Sequence, residues 1–437
     1  MEENNQNEVE QNQQDKNEYI REKVKQRPLN RKKLMRRTII TAAMAVVFGV
    51  LACFTFLVLE PVFSNILSPE EEPEIIEIPE DVDEVSPEDM LLEDKKEPTI
   101  QIIREEADTV DPLDNYQYMY KEVYDIAGET QKSLVTVTGV TTDENWWGDE
   151  FESAGETSGL YVANNGRQIL ILAETSALEE ADSINVTFID GTTHKATIKQ
   201  SDVNSGLSIV SVDVSDVNAD TISAITPARL GNSRASTLVA SPVIAIGHPY
   251  GSSESVGFGM MVSKDRTVSL TDSNYEIMTT DIYGSEYATG IVVNLKGEVL
   301  GIIDQSYNTD DTKNLISAIG ISDLKKTIER MSNGRAGARL GVTGTNVTEA
   351  AHEEYKVPKG AYVTGIVMNS PAMNYGIQSG DVIIKIDDEE IADFAELTEC
   401  LMTKTPDTTV TVTIMRQSGQ SEYREVELEI LLDEGKK

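Results

Sequence analysis

The hydrophobic positions of the chain follow three different patterns. Residues 39–59 carry no charge, residues 112–332 contain short apolar runs separated by Gly, Asn and Asp, and residues 337–433 combine strand-like runs with one helical run. A continuous helix over the first range would be about 31 Å long, close to the ~30 Å hydrocarbon core of a bilayer. We therefore predict a transmembrane helix at 39–59 and folded domains in the two later ranges.

Charges on either side of this apolar run predict its orientation. A dense basic cluster precedes it, between Arg27 and Arg37, whereas the next basic residue after it is Lys95. The positive-inside rule puts residues 1–38 in the cytoplasm, where their polar composition predicts disorder, and the folded domains on the other side of the cell membrane. A cleaved signal peptide is the alternative, but the leader is long and charged and lacks a small-x-small cleavage site.

An acidic segment, residues 60–111, precedes the folded domains. The chain has 75 acidic and 37 basic residues and a net charge of -38, which argues against a nucleic-acid partner. The stretch Glu60–Asp94 contains 14 acidic residues and no basic one. Such a stretch repels itself and extends, so residues 60–111 are predicted to form a stalk or linker. An acidic docking site is the alternative.

Short strands dominate residues 112–332. In the run 184–190, Ile184, Val186 and Phe188 alternate with polar residues, as in a half-buried strand. Many such runs at regular spacing predict a mainly β fold, either antiparallel barrels or a sandwich. An amphipathic helix is predicted at 321–331, where it closes this domain.

The last domain carries a distinctive motif. The segment NSPAMNYGIQSGDVIIKIDDEEI, residues 369–391, resembles the core of a PDZ domain, which implies an α+β fold at 337–433. By that resemblance, Leu397 and Leu401, four apart on one helix face, would line a side-chain pocket, although both are equally suited to the core. The next strand would pair with a bound peptide. A peptide carboxylate would be received by the backbone N–H groups of one loop: Arg339, Leu340, Gly341 and Val342.

The preceding domain also resembles a known family. VIAIGHPYG at 243–251 is similar to the AIGNPFG segment of the HtrA/Deg proteases, and VVNLKGEVLGI at 292–302 is similar to the segment after their nucleophile. ADSINVTFIDGTTHKATI at 181–198 matches the strand pair that follows their catalytic histidine. The resemblance implies a trypsin-like double β-barrel at 112–332, an envelope location and a tendency to form trimers.

The triad positions depart from the family pattern. The histidine position is occupied by Ser176, the aspartate position by Gly206, and the serine of the GNSGGP motif by Ala288. Acyl transfer needs an oxygen nucleophile, a base and a carboxylate that orients the base. Glu286 replaces a glycine of the oxyanion hole, and it adopts positive φ less readily than glycine. The sequence therefore predicts that the catalytic site is lost.

Other chemistry finds little support in the sequence. His248 lies in a turn that the family fills with Asn, so a turn role is favoured over catalysis. The carboxylates at 387–390 lack calcium-loop spacing, two cysteines exclude a Cys-based zinc module, and no cofactor motif is present. We expect no metal or cofactor.

The function predicted from the sequence is recognition of polypeptide C-termini or unfolded segments in envelope protein quality control or regulation. The protein would act alone or within a homo- or hetero-trimer. An active serine endopeptidase with an unconventional site and an envelope scaffold are the alternatives.

Overall fold

The computed structural model describes residues 35–36, 39–51, 55, 73–81, 112–144, 150–178, 181–251, 254–419 and 422–434. The chain divides into two units, residues 1–72 and 73–437. In the first unit, residues 39–51 are helical. Among the described residues, no helix is both long and apolar enough to cross a membrane. The remainder of the predicted span, apart from position 55, lies outside the described residues, as does nearly all of the predicted cytoplasmic tail.

Six antiparallel strands close into a first barrel. They pair in the order β1-β2-β3-β6-β5-β4, and β4 pairs with β1 to complete the ring. The alternating residues of the run 184–190 point into the barrel, where Val186 and Phe188 pack with Ile171 and Val210. The six strands are β1 Leu134–Glu144, β2 Glu150–Asn164, β3 Gln168–Glu174, β4 Ser183–Thr187, β5 Thr193–Asp202 and β6 Leu207–Asp213.

A second barrel follows, and the predicted mainly β fold with two barrels is confirmed. Its ring runs β11-β8-β9-β10-β13-β12 and closes through the pairing of β11 with β12, while β7 lies parallel to β12 outside the ring. The strands are β7 Arg229–Leu230, β8 Pro242–His248, β9 Ser255–Leu270, β10 Ser273–Tyr283, β11 Thr289–Val293, β12 Glu298–Ile303 and β13 Leu315–Gly320.

Helices complete this domain, and one of them contributes to the core that both barrels share. Leu324, Ile328 and Met331, spaced on one helix face, are fully buried in a cluster with Ile209 of the first barrel and Ile277 of the second. Each such side chain contributes about 1.5–3 kcal/mol on burial. The helix predicted at 321–331 is therefore present. The helices are α1 Pro112–Gln131, α2 Ala219–Ala224 and α3 Ile321–Ser332.

The C-terminal domain is a sheet covered by short helices around a core of its own. The strands pair in the order β14-β15-β16-β18-β19, with β17 on β16, so β14 is an edge strand. The strands are β14 Val342–Asn346, β15 Ala361–Ile366, β16 Val382–Ile386, β17 Glu389–Glu390, β18 Thr409–Gly419 and β19 Glu422–Leu431. The helices are α4 Glu349–Tyr355, α5 Pro371–Tyr375 and α6 Phe394–Thr403.

The motif at 369–391 has a physical explanation in this fold. Ser370 caps α5 by accepting a hydrogen bond from the N–H of Met373. Gly376 ends that helix at φ 86°, a conformation that glycine adopts without strain. Asp381 is buried and accepts two hydrogen bonds from the Arg416 guanidinium, at 2.7 and 2.8 Å.

Residues 73–81, within the predicted acidic stalk, lie against the first domain. Ile76 exchanges two backbone hydrogen bonds with the Asn333 side chain, at 2.8 and 3.0 Å. The Asp81 carboxylate accepts a hydrogen bond from the Lys325 ammonium at 2.6 Å, and the two side chains are only 19% and 10% exposed. This part of the acidic segment is thus held by specific contacts and is not a spacer solvated on all sides.

We expect the substitution Asp81→Asn to release this segment. Breaking a buried ion pair leaves the other charge uncompensated and costs about 3–5 kcal/mol when burial is complete. Cleavage after Glu74 by a glutamyl endopeptidase, followed by mass spectrometry, should accelerate at least about tenfold, since proteolysis tracks the open population. The control Glu80→Gln breaks an ion pair with Lys326 in which the Glu80 side chain is 79% exposed, and it should leave the rate nearly unchanged. Equal rates in both variants would contradict the structural role of the buried pair.

Candidate functional site

A cavity of about 560 Å³ opens between the two barrels. Its walls are mainly apolar, with contributions from Leu172 of the first barrel and Ile291 of the second. Ser176 and Gly206 both line it. Their loops are joined by a hydrogen bond of 2.8 Å from the N–H of Thr175 to the carbonyl oxygen of Gly206. Two positions predicted to correspond to triad members therefore share one cleft.

Ala288, at the third predicted triad position, is 4% exposed, and the next two residues, Thr289 and Gly290, line the same cavity. Gly290 has φ 127°, and a Cβ there would overlap the carbonyl of Ile246. This position therefore requires glycine whatever chemistry the cleft performs.

The side chains at the predicted histidine and oxyanion positions are exposed. The Ser176 hydroxyl donates a hydrogen bond to the Glu174 carboxylate at 2.8 Å. Glu286 is exposed, and its carboxylate raises the pKa of the Tyr287 hydroxyl by accepting its hydrogen bond. Neither residue brings an imidazole or another strong base to the cleft.

A serine and a histidine that the sequence did not connect lie within hydrogen-bond distance beside this cleft. Ser158 Oγ is 2.7 Å from Nδ1 of His248 and 3.1 Å from the hydroxyl of Thr289. Ser158 belongs to the first barrel and the other two residues belong to the second, so the cluster joins the barrels. Within the described part of the chain, no carboxylate hydrogen-bonds to this imidazole. The sequence predicts a turn role for His248, and the residues around Ser158 give no signal of the contact.

The predicted carboxylate-binding loop of the C-terminal domain already holds a carboxylate, that of Asp272. The N–H of Leu340 donates to Oδ2 at 2.8 Å, the N–H of Val342 donates to Oδ1 at 2.9 Å, and the N–H of Gly341 lies 2.9 Å from both oxygens. Asp272 is 6% exposed. Burial raises the pKa of its carboxyl group to about 6, while the three N–H donors and the nearby charge of Arg339 oppose that rise.

Asp272 forms the turn between β9 and β10, and its backbone also contacts the C-terminal domain. Its N–H donates to the carbonyl of Val342 at 2.7 Å, and the Thr398 hydroxyl of α6 lies 2.9 Å from its carbonyl oxygen. On β9, the Ser269 hydroxyl donates to the carbonyl of Gly344 at 2.8 Å and accepts from its N–H at 3.1 Å. The hairpin thus lies along β14 and against α6.

The other predicted peptide-binding residues have different surroundings. The Arg339 guanidinium donates to both carboxylate oxygens of Asp433, each at 2.7 Å. Leu397 is fully buried in the core of the C-terminal domain. Leu401 belongs to the same core and also lines a cavity of about 360 Å³ beside Asp272.

Comparison with known proteins follows the same two-domain division. Residues 157–302 match the family model of the trypsin-like peptidase domain, and residues 338–430 match that of the PDZ domain. The class of protein is therefore a trypsin-like domain followed by a PDZ domain.

Similarity to individual proteins is more specific. The chain is 26% identical over 299 residues to the serine protease Do-like HtrA of Lactobacillus helveticus, covering 64% of this chain and 70% of that one. It is 28% identical over 258 residues to a probable periplasmic serine endoprotease DegP-like of Buchnera aphidicola, covering 57% of this chain and only 51% of that one. The HtrA-type protease AlgW, solved with a decapeptide, matches with a TM-score of 0.50 at 18% identity, over 72% of this chain and 98% of that one. The first two matches support the resemblance to the HtrA/Deg family, and the third, at 18% identity, shows the same fold.

Proposed function

We propose that this chain is a membrane-anchored, extracytoplasmic HtrA-like protein that does not cleave peptide bonds and that binds polypeptides through its PDZ domain. Its role would lie in envelope protein quality control or regulation, alone or within a homo- or hetero-trimer. The observation that carries the proposal is the chemistry of the interbarrel cleft, where Ser176, Gly206 and Ala288 stand at the positions assigned to the triad.

The argument for inactivity is chemical. A methyl group at Ala288 offers no nucleophile, and the Ser176 hydroxyl is not a base at neutral pH. Gly206 has no side chain with which to orient a base. In a related serine protease system, loss of the serine or the histidine alone costs on the order of 10⁶ in turnover. Three simultaneous replacements remove the nucleophile, the base and the orienting group together.

The argument for polypeptide binding rests on the loop that holds Asp272. Its three N–H groups converge on one carboxylate, which supports the expectation that the loop binds a peptide terminus. β14 is an edge strand beside α6, which is the geometry that strand addition requires. The HtrA-type protease AlgW, which matches the fold over 72% of this chain, was solved with a decapeptide.

The proposed membrane anchor rests on the N-terminal sequence. The uncharged run 39–59 is preceded by the basic cluster that ends at Arg37, and its described part, 39–51, is helical. The basic cluster favours the cytoplasmic side for the segment before the run, which puts the chain after it on the opposite side.

We expect the full chain to leave an unfolded substrate protein intact, as judged by mass spectrometry of the products. The variant Ala288→Ser should be equally inactive, since it restores a nucleophile without a base. An active serine protease of trypsin-like fold serves as the positive control for the substrate. Cleavage by the parent chain would overturn the proposed inactivity, and cleavage by the variant alone would mean that a base is present in the cleft.

We further expect the PDZ domain to distinguish peptides by their termini. Decapeptides with a free C-terminal carboxylate should bind to the immobilised full chain, whereas the same peptides as C-terminal amides should bind at least about tenfold more weakly, since an amide forfeits charge-assisted hydrogen bonds. Surface plasmon resonance at pH 8 measures both. Equal binding of the two forms would contradict recognition through this loop and would favour a scaffold without peptide specificity.

One observation favours a second candidate, a serine endopeptidase with an unconventional site. The hydrogen bond of 2.7 Å between Ser158 and His248 is the contact that a nucleophile and its base would make. A fluorophosphonate probe tests it, with Ser158→Ala as the matched variant. We expect no labelling of either protein. Labelling of the parent chain that disappears in the variant would establish this second candidate and exclude the first.

A further inference from the structure

We propose that the β9–β10 turn, Thr271–Asp272, is an internal ligand of the PDZ groove, so that external polypeptides bind only by displacing it. The inference rests on the proposed peptide-binding function and adds a regulatory element to it. The PDZ domain would then be closed to C-termini in the resting chain, and the first domain would control its access.

The carboxylate contacts make internal and external ligands mutually exclusive. An incoming C-terminal carboxylate needs the N–H groups of Leu340, Gly341 and Val342. All three already donate to Asp272 at 2.8–2.9 Å. Because each backbone N–H has one proton to donate, the loop cannot hold two carboxylates at once.

The backbone of the groove is occupied as well. A peptide that adds to the edge of β14 must pair with its free carbonyl and N–H groups. The hairpin already engages the carbonyl of Val342 through the Asp272 N–H and both polar groups of Gly344 through the Ser269 hydroxyl. On the helix side, the Thr398 hydroxyl lies 2.9 Å from the carbonyl oxygens of both Asp272 and Phe394, which share its one proton. The hairpin therefore makes the carboxylate, strand and helix contacts that a bound peptide would make.

The contact between the β9–β10 turn and the PDZ domain is centred on an aspartate, Asp272. This residue type supports a ligand role over ordinary packing between domains. Burying a charge is costly, and apolar residues of similar volume stabilise a permanent contact at least as well. Asp272 also has φ 57°, a left-handed conformation that Asp and Asn tolerate better than most residues. The chain thus positions a carboxylate where a permanent interface has no need of one.

The test is hydrogen–deuterium exchange of the full chain at pH 8, read by mass spectrometry over residues 339–344. The variant Asp272→Asn keeps the size and the turn conformation but replaces one acceptor oxygen with a donor group, and Asp272→Gly removes the side chain while tolerating the positive φ. Both should raise exchange over 339–344 at least about tenfold, since three N–H groups lose an ionised acceptor. Unchanged exchange over β3 and β6 verifies that the barrel remains folded.

The matched control is Asp265→Asn. It removes one carboxylate from the same strand, β9, at an exposed position, and it should leave exchange over 339–344 unchanged. If both variants at position 272 exchange like the parent chain, the inference is overturned. If the control exchanges as fast as they do, the effect reflects net charge and the inference is also overturned.

A binding experiment separates this inference from the proposed function. The probes are the decapeptides with free carboxylates described above, with their amides as controls. Asp272→Asn should bind the free-carboxylate forms at least about tenfold more tightly than the parent chain, because a larger fraction of the grooves is open. Faster exchange without any peptide binding would support the internal ligand and reject the proposed peptide function. If Asp272→Asn and the parent chain bind the peptides equally tightly and exchange over 339–344 is unchanged, the proposed peptide function is supported and the internal ligand is rejected.

Discussion

A carboxylate that leaves water must find hydrogen-bond donors, and the contact between the two folded domains depends on how the chain meets this requirement for Asp272. The donors are three consecutive backbone N–H groups of the second domain, 68 to 70 residues further along the chain. The long strands β9 and β10 carry the turn to them, and the pairing of Leu270 with Ser273 leaves room for only two turn residues. The lengths of β9 and β10 and the register of their pairing therefore determine whether Asp272 reaches the second domain.

The interbarrel cleft and the PDZ groove differ in what occupies them. The cleft remains open, at about 560 Å³, with Ser176 and Gly206 on its wall. The barrels meet beside this space through the polar cluster of Ser158, His248 and Thr289. The carboxylate loop and the edge strand of the groove, by contrast, are contacted by a segment of the same chain. A polypeptide would therefore meet an open apolar surface in the first domain and a competitor in the second.

Local patterns predicted much of the fold, because they report which face of an element is buried. Alternation at 184–190 predicted a strand, and the helix at 321–331 was found at Ile321–Ser332. Contacts between distant segments left no such signal. An Asp in a two-residue turn is typical of exposed turns, so the sequence does not distinguish Asp272 from them. The N–H groups that donate hydrogen bonds to it lie in another domain. Residues 73–81 contain both isoleucines and carboxylates. Their charge predicted a spacer, although Ile76 and Ile78 pack against the core. The four-residue spacing of Leu397 and Leu401 could not show whether Leu397 lines a peptide pocket or belongs to the core.

The chemistry of the domain contact determines whether it can open. Among the residues that the structure describes, the apolar cores of the two domains have none in common. The groove contact includes hydrogen bonds that involve Asp272, Ser269 and Thr398. Nearby, Lys326 forms an ion pair with Glu399 at 3.1 Å in which both side chains are about half exposed, so it contributes little. An apolar contact would expose its surface to water when it separates, whereas hydrogen bonds can be replaced one for one by those of a peptide backbone and carboxylate. Polypeptides that make the same hydrogen bonds can therefore displace the internal ligand. The free energy of its contact with the groove determines how tightly such a polypeptide must bind.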